Sequence, residues 1–202
     1  MLRFRSAEPP FSETAVAGQA VRLLALIEAL GLWEPAQLIE VLDGDVFAAA
    51  LSSTAAAGVA PSAIFDWQGY SDKAPEEFAR WISTVRDDLA ASPVPERELP
   101  KLDLLFSTDR LAKAVGVADS SLRRYLAGGR HVPDEVANRA HLLARIVGDL
   151  AGSYNERGIR RWFERARAQL DDRAPQDILT GPWSPDDPDV ARVAALAAER
   201  AG

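Results

Sequence analysis

The sequence predicts an all-α protein, with a helical bundle in the N-terminal part followed by two smaller helical domains. Three observations predict it. Apolar residues recur at three- and four-residue spacing through most of the chain; prolines stand where helices would start and glycines where they would stop; and the alanine-rich stretches 48–57 and 193–201 favour helix. No internal repeat accompanies this pattern.

Residues 1–13 read as a flexible tail. Val16, Ala20, Leu23, Leu24, Ile27 and Leu30 then share one helical face, so a first helix is expected from Thr14 to Leu30, stopped by Gly31. Pro35 and Pro75 each suit the first turn of a later helix. Glu34 to Leu51 is expected to hold two short helices broken at Asp43-Gly44, and Gly58 to Asp72 to be irregular around Pro61 and Gly69. The helix opening at Pro75 carries Phe78, Trp81, Ile82, Val85 and Leu89. Residues 14–91 would form a helical domain with no recognisable chemistry, and residues 92–101, SPVPERELPK, a proline-rich linker.

Beyond the linker, the stretch TDRLAKAVGVADSSLRRY, Thr108 to Tyr125, has the spacing of two short helices crossing through a tight turn. Ala112 is small enough for close approach, Gly116 suits a positive φ, and Leu111, Val117, Leu122 and Tyr125 would form a shared underside. This reads as a helix-turn-helix domain over residues 102–152, with Ser107 capping its first helix. Asp119, Ser120, Ser121, Arg123 and Arg124 become the candidate DNA-binding residues, since hydroxyls and guanidinium groups on an exposed helix suit base edges and phosphates. Arg110, Lys113 and Arg130 are second-rank phosphate contacts. Gly128-Gly129 ends the second helix, and Pro133 opens a long supporting helix with Val136, Ala140, Leu143, Val147 and Leu150 in one stripe.

Charge agrees with that placement only locally. The 202-residue chain carries a net charge of −7, which argues against polyanion binding as a whole. From Ser107 to Leu170, however, 12 Lys and Arg face 7 Asp and Glu, so a basic module sits inside an acidic protein. The absence of cysteine excludes disulfides and thiolate chemistry, and His131 and His141 are too far apart for a helical metal pair. No nucleophile, base and orienting group can be named together, so no enzyme, metal or other cofactor is expected. No apolar run has the length of a membrane span and Met1 to Ser12 lacks the apolar core of a signal peptide, so a cytoplasmic location without membrane partners is expected.

Residues 153–202 complete the chain with an amphipathic helix from Asn155 bearing Ile159, Trp162, Phe163, Ala166 and Leu170, a turn from Pro175, the loop GPWSPDDP and a last helix from Pro188. This C-terminal run, YNERGIRRWFERARAQLDDRAPQDILTGPWSPDDPDVARVAALAA, resembles the toxin-binding domain of the Xre/MbcA/ParS family of bacterial antitoxins. The carriers are the Arg-Trp-Phe helix, the Ala-Pro-Gln-Asp-Ile-Leu turn, the acidic Pro-Asp-Asp-Pro loop and the helix beginning Asp-Val. The preceding helix-turn-helix matches the family's DNA-binding half, so the resemblance covers Phe106 to Gly202. It departs at Asp171-Asp172, where the family often has glycine, and in the long segment ahead of Phe106.

The resemblance implies an antitoxin of a type II toxin–antitoxin system, which covers the active-site entrance of a RES-type toxin acting on NAD and represses its own operon. Its partners would be that toxin, operator DNA and further copies of itself, with no cofactor. Arg160, Arg161, Trp183, Asp186 and Asp187 are the candidate partner contacts, although Trp183 could equally plug its own core. The alternative is a free-standing helix-turn-helix transcriptional regulator or an oligomeric adaptor without a toxin. On this modular reading, a chain ending before Tyr154 should still bind DNA.

Overall fold

The computed structural model describes residues 4–35 and 39–200 and is all-α, with eleven α-helices among the described residues and one minimal parallel strand pair. The chain divides into two compact units, Met1–Ser92 and Pro93–Gly202.

In the first unit, β1 (Ser6–Ala7) pairs in parallel with β2 (Val41–Leu42), Ser6 opposite Val41 and Ala7 opposite Leu42. Residues 4–13 are therefore not a free tail. Phe11 is fully buried, its ring 5.0 Å from Phe47 and 5.8 Å from Phe78. α1 (Thr14–Ala29) packs on α4 (Pro75–Ala90), as their apolar faces require, and Gly31 follows with φ +67°. Between them, α2 (Gly44–Ala56) begins at Asp43, whose carboxylate accepts from the Val46 N–H at 2.8 Å.

Two further expectations fail in this unit. The helix expected from Pro35 does not appear in the described part of that stretch: Pro35 is non-helical and Val41–Leu42 is strand, while residues 36–38 lie outside the described residues. A pairing of two residues on each strand leaves no sequence period to detect. The stretch expected to be irregular contains α3 (Ala63–Ser71), in which Ala63 and Trp67, one helical turn apart, are both buried, and Trp67 meets Phe47 edge-on at 5.8 Å.

The second unit begins where a linker was expected and instead forms α5 (Pro95–Phe106). Pro95 occupies its first turn, and Leu99, Leu102 and Leu105 are buried at helical spacing, so packing carries the helix through Pro100. α6 (Thr108–Val115) and α7 (Asp119–Leu126) follow, joined by a three-residue turn. α8 (Asp134–Ala151) is the centre of the unit. It is buried on almost every side and packs against α5, α6, α9 (Glu156–Glu164) and α11 (Pro188–Ala198). A 3-10 turn at Ala168–Leu170 and the short α10 (Pro175–Ile178) complete it. The residues expected to form a helix-turn-helix domain and a separate C-terminal domain thus share one core.

Candidate nucleic-acid interface

The geometry of α6 and α7 follows from a few side chains. Leu111, Ala112, Val115, Leu122 and Tyr125 are buried between the two helices and the rest of the unit; Val117, expected among them, is half-buried, and Val115 takes the place it was given. Gly116 adopts φ +76°, and the Val117 N–H returns to the Ala112 carbonyl at 2.9 Å. Ser107 stands at the N-cap of α6 without capping it: its hydroxyl donates to the Asp109 carboxylate at 2.7 Å, which holds that carboxyl below its ordinary range.

α7 turns Asp119, Ser120, Arg123 and Arg124 to solvent, with Ser121 half-buried at the edge. The Arg123 side chain makes no hydrogen bond or ion pair among the described residues, and that of Arg124 makes a long one, from Nε to the Ser120 carbonyl at 3.3 Å. Lys113 and Arg130 are exposed as well. Arg110 is engaged elsewhere, because its guanidinium pairs with Glu164 of α9.

Behind this surface lies a residue that the sequence reading passed over. Arg139 of α8 is 6% exposed and donates in three directions: Nε to the Trp183 carbonyl at 2.8 Å, Nη1 to the Val115 carbonyl at 3.2 Å and Nη2 to Glu135 at 2.6 Å. Its guanidinium also lies over the Trp183 indole, 5.4 Å from the centroid. Trp183 in turn donates Nε1–H to the Ala114 carbonyl at 2.8 Å. The last four carbonyls of α6 are therefore all bonded, Ala112 and Lys113 by the turn's own backbone and Ala114 and Val115 by Trp183 and Arg139. An arginine among the apolar residues of the α8 stripe was the available signal.

This arrangement corrects the partner-facing set. Trp183 is 5% exposed and plugs the chain's own core, so it has no free face to offer. Arg160 bonds the Leu105 carbonyl through Nε at 2.6 Å and ties α9 to the end of α5. Asp187 accepts from the Ser184 N–H at 2.8 Å and shapes the loop before α11. Arg161, Asp186 and Asp187 are exposed, and Arg160 is half-buried.

A second buried polar pair lies between α5 and α8. Glu98, fully buried, and His141, 6% exposed, approach to 2.6 Å, and the same Glu98 oxygen accepts from the Val94 N–H. No group of three or more His, Asp or Glu side chains that could hold a metal occurs among the described residues, and none of their helices is long and apolar enough to cross a membrane. No protein-family model, curated protein or solved structure matches the chain.

Proposed function

We propose that this chain is the antitoxin of a type II toxin–antitoxin pair, which binds operator DNA through α6 and α7 and occludes a RES-type toxin with residues of its C-terminal half. The observation that carries the DNA part is the outward face of α7. It presents Arg123, Arg124 and Ser120 together, uncommitted to other side chains, on the second helix of a pair joined through a left-handed glycine. Such a face can enter a major groove, where an arginine reads guanine or holds a phosphate. The local excess of positive charge supports this, and the resemblance of Tyr154 to Ala198 to the toxin-binding domain supports the partner. Arg160, Arg161, Asp186 and Asp187 are the contact candidates that keep exposed surface.

A retention assay with the promoter fragment of the chain's own operon tests the DNA part. Specific retention is expected, with the Arg123→Ala, Arg124→Ala double variant losing it and the salt slope falling by about one for each phosphate contact removed. Retention unaffected by the double variant would sink the assignment. Co-expression with the product of the adjacent reading frame tests the partner, and failure to form a complex with a RES-type protein leaves the second reading. The compact unit Met1–Ser92 favours that reading, because it gives a free-standing regulator a second folded body in the same chain.

A further inference from the structure

We propose that the groove lined by Arg161, Arg165 and Arg167 is a binding site for phosphate groups. The groove has a volume of about 880 Å³, and Tyr154, Gly158 and Trp162 line it with the three arginines. Arg161 and Arg165 are exposed and form no ion pair among the described residues. Glu164, the carboxylate on its edge, is held by Arg110. Net positive charge therefore collects in one concavity of an acidic protein.

Arg167 is the most specific feature. Its guanidinium lies over the Trp162 ring at 4.7 Å from the centroid, and Nη2 reaches the Trp162 carbonyl at 3.4 Å. Stacking of this kind fixes the plane of the guanidinium and directs its remaining donors sideways. Arg167 Nε is buried without a hydrogen-bond partner, as is the indole Nε1 of Trp162. Unpaired buried donors are costly, so this end of the groove favours an arrangement that brings them an acceptor. Burial, joined by the neighbouring Arg200 and Arg165 charges and opposed by Tyr154, pushes the Arg167 guanidinium below its ordinary pKa. Three guanidinium groups lining one groove exceed what one carboxylate can accept, whereas a phosphate offers several oxygens and up to two charges. Two sources carry that chemistry, a free phosphorylated small molecule and a nucleic-acid backbone. The inference stands on different residues from the proposed operator contact and does not depend on it.

The test follows the Trp162 indole and Arg167 Nε–H resonances of the full-length ¹⁵N-labelled chain during titration with sodium pyrophosphate. Both are expected to shift saturably. Arg161→Ala with Arg165→Ala should weaken binding by about tenfold or more, Arg161→Lys with Arg165→Lys should retain part of it, and Arg123→Ala with Arg124→Ala should leave it unchanged. A thymidine oligonucleotide that shifts the same resonances at lower concentration identifies a backbone as the source; a weaker response identifies the free phosphate. The proposal is overturned by no saturable shift up to millimolar pyrophosphate, by an equal shift with sodium acetate, or by undiminished binding in the Arg161/Arg165 alanine variant.

Discussion

Arg139 and Trp183 hold each other twice, through an Nε to carbonyl bond of 2.8 Å and through a guanidinium 5.4 Å from the indole centroid. Because each also bonds a terminal carbonyl of α6, the loop before α11 finishes the first helix of the pair that presents α7. The helices α6 and α7 and the C-terminal residues are consequently one structure. On the function proposed above, a partner that displaces the Trp183 loop would uncap α6, a physical route by which partner binding and DNA binding would influence each other.

Substitutions at Trp183 measure the strength of that link. Trp183→Phe keeps most of the packing but leaves the Ala114 carbonyl unpaired, and should cost about 1–3 kcal/mol. Trp183→Ala removes the plug and should cost about 3–5 kcal/mol. Urea unfolding followed by far-ultraviolet circular dichroism gives both values, and a phenylalanine variant as stable as the parent would show that the indole bond contributes nothing. For the same reason, a chain ending before Tyr154 should fail to unfold cooperatively, contrary to the modular expectation. Retained DNA binding by that fragment would restore the modular view.

Gly116 is constrained by the same clamp. A Cβ there would stand 2.1 Å from Arg139 Nη1, at a backbone φ of +76°. Arg139 cannot swing aside cheaply, since its three bonds would be lost with the movement. Gly128, with φ +66°, has nothing within 4 Å of such a Cβ, so alanine there bears the backbone cost alone. Gly128→Ala should cost about 1 kcal/mol and Gly116→Ala about 2 kcal/mol or more. Equal destabilisation of the two in thermal melts would remove the argument for the Arg139 contact.

The buried pair Glu98 and His141 offers a different test. Glu98 is fully buried and its second oxygen has no hydrogen-bond partner, so removing His141 strands a carboxylate in the core. His141→Ala should cost about 3–5 kcal/mol, whereas His141→Leu combined with Glu98→Leu should recover most of that loss. Denaturant titration of the single and double variants decides it; additive losses would show that the two residues are not coupled.

How much of this was legible follows from the period of each signal. α1, α4, α6, α7, α8 and α11 declared themselves through apolar spacing together with Pro or Gly at their ends, which are local properties. Helix α5 was hidden because Pro93, Pro95 and Pro100 outweighed the Leu99, Leu102 and Leu105 stripe, and only packing on α8 resolves that conflict. The outward face of α7 could be read because exposed positions are what the apolar face leaves over. Arg139 could not: its partners at Val115 and Trp183 lie 24 and 44 residues away, and no local pattern encodes a bond over such separations. Trp183 has no local signal that separates core from partner contact, for the same reason.

The acidic pair before the prolyl turn supplies the last prediction. Asp171 and Asp172 adopt φ +56° and +57°, a conformation in which any side chain is strained. Their compensation differs. Asp171 bonds Arg192 at 2.8 Å, and Asp189 bonds Arg173 at 2.6 Å and Arg192 at 3.1 Å, so the turn and the start of α11 are joined by two carboxylates and two guanidinium groups. Those bonds, chiefly Arg192 for Asp171 and Arg173 for Asp189, hold both carboxyls below the ordinary value of 3.8. Asp172 has no such partner among the described residues. Asp172→Gly should therefore stabilise the chain by about 0.5–1 kcal/mol, while Asp171→Gly gains the same relief and loses the ion pair, ending less stable than Asp172→Gly. A depressed folded pKa contributes stability that is present above 3.8 and is lost as the pH falls through the folded values. The parent should thus lose melting temperature on acidification more steeply than Asp171→Asn with Asp189→Asn, and the difference should shrink at high salt because all four groups are well exposed. Parallel pH profiles for the parent and the double asparagine variant would show that the network adds nothing to the fold.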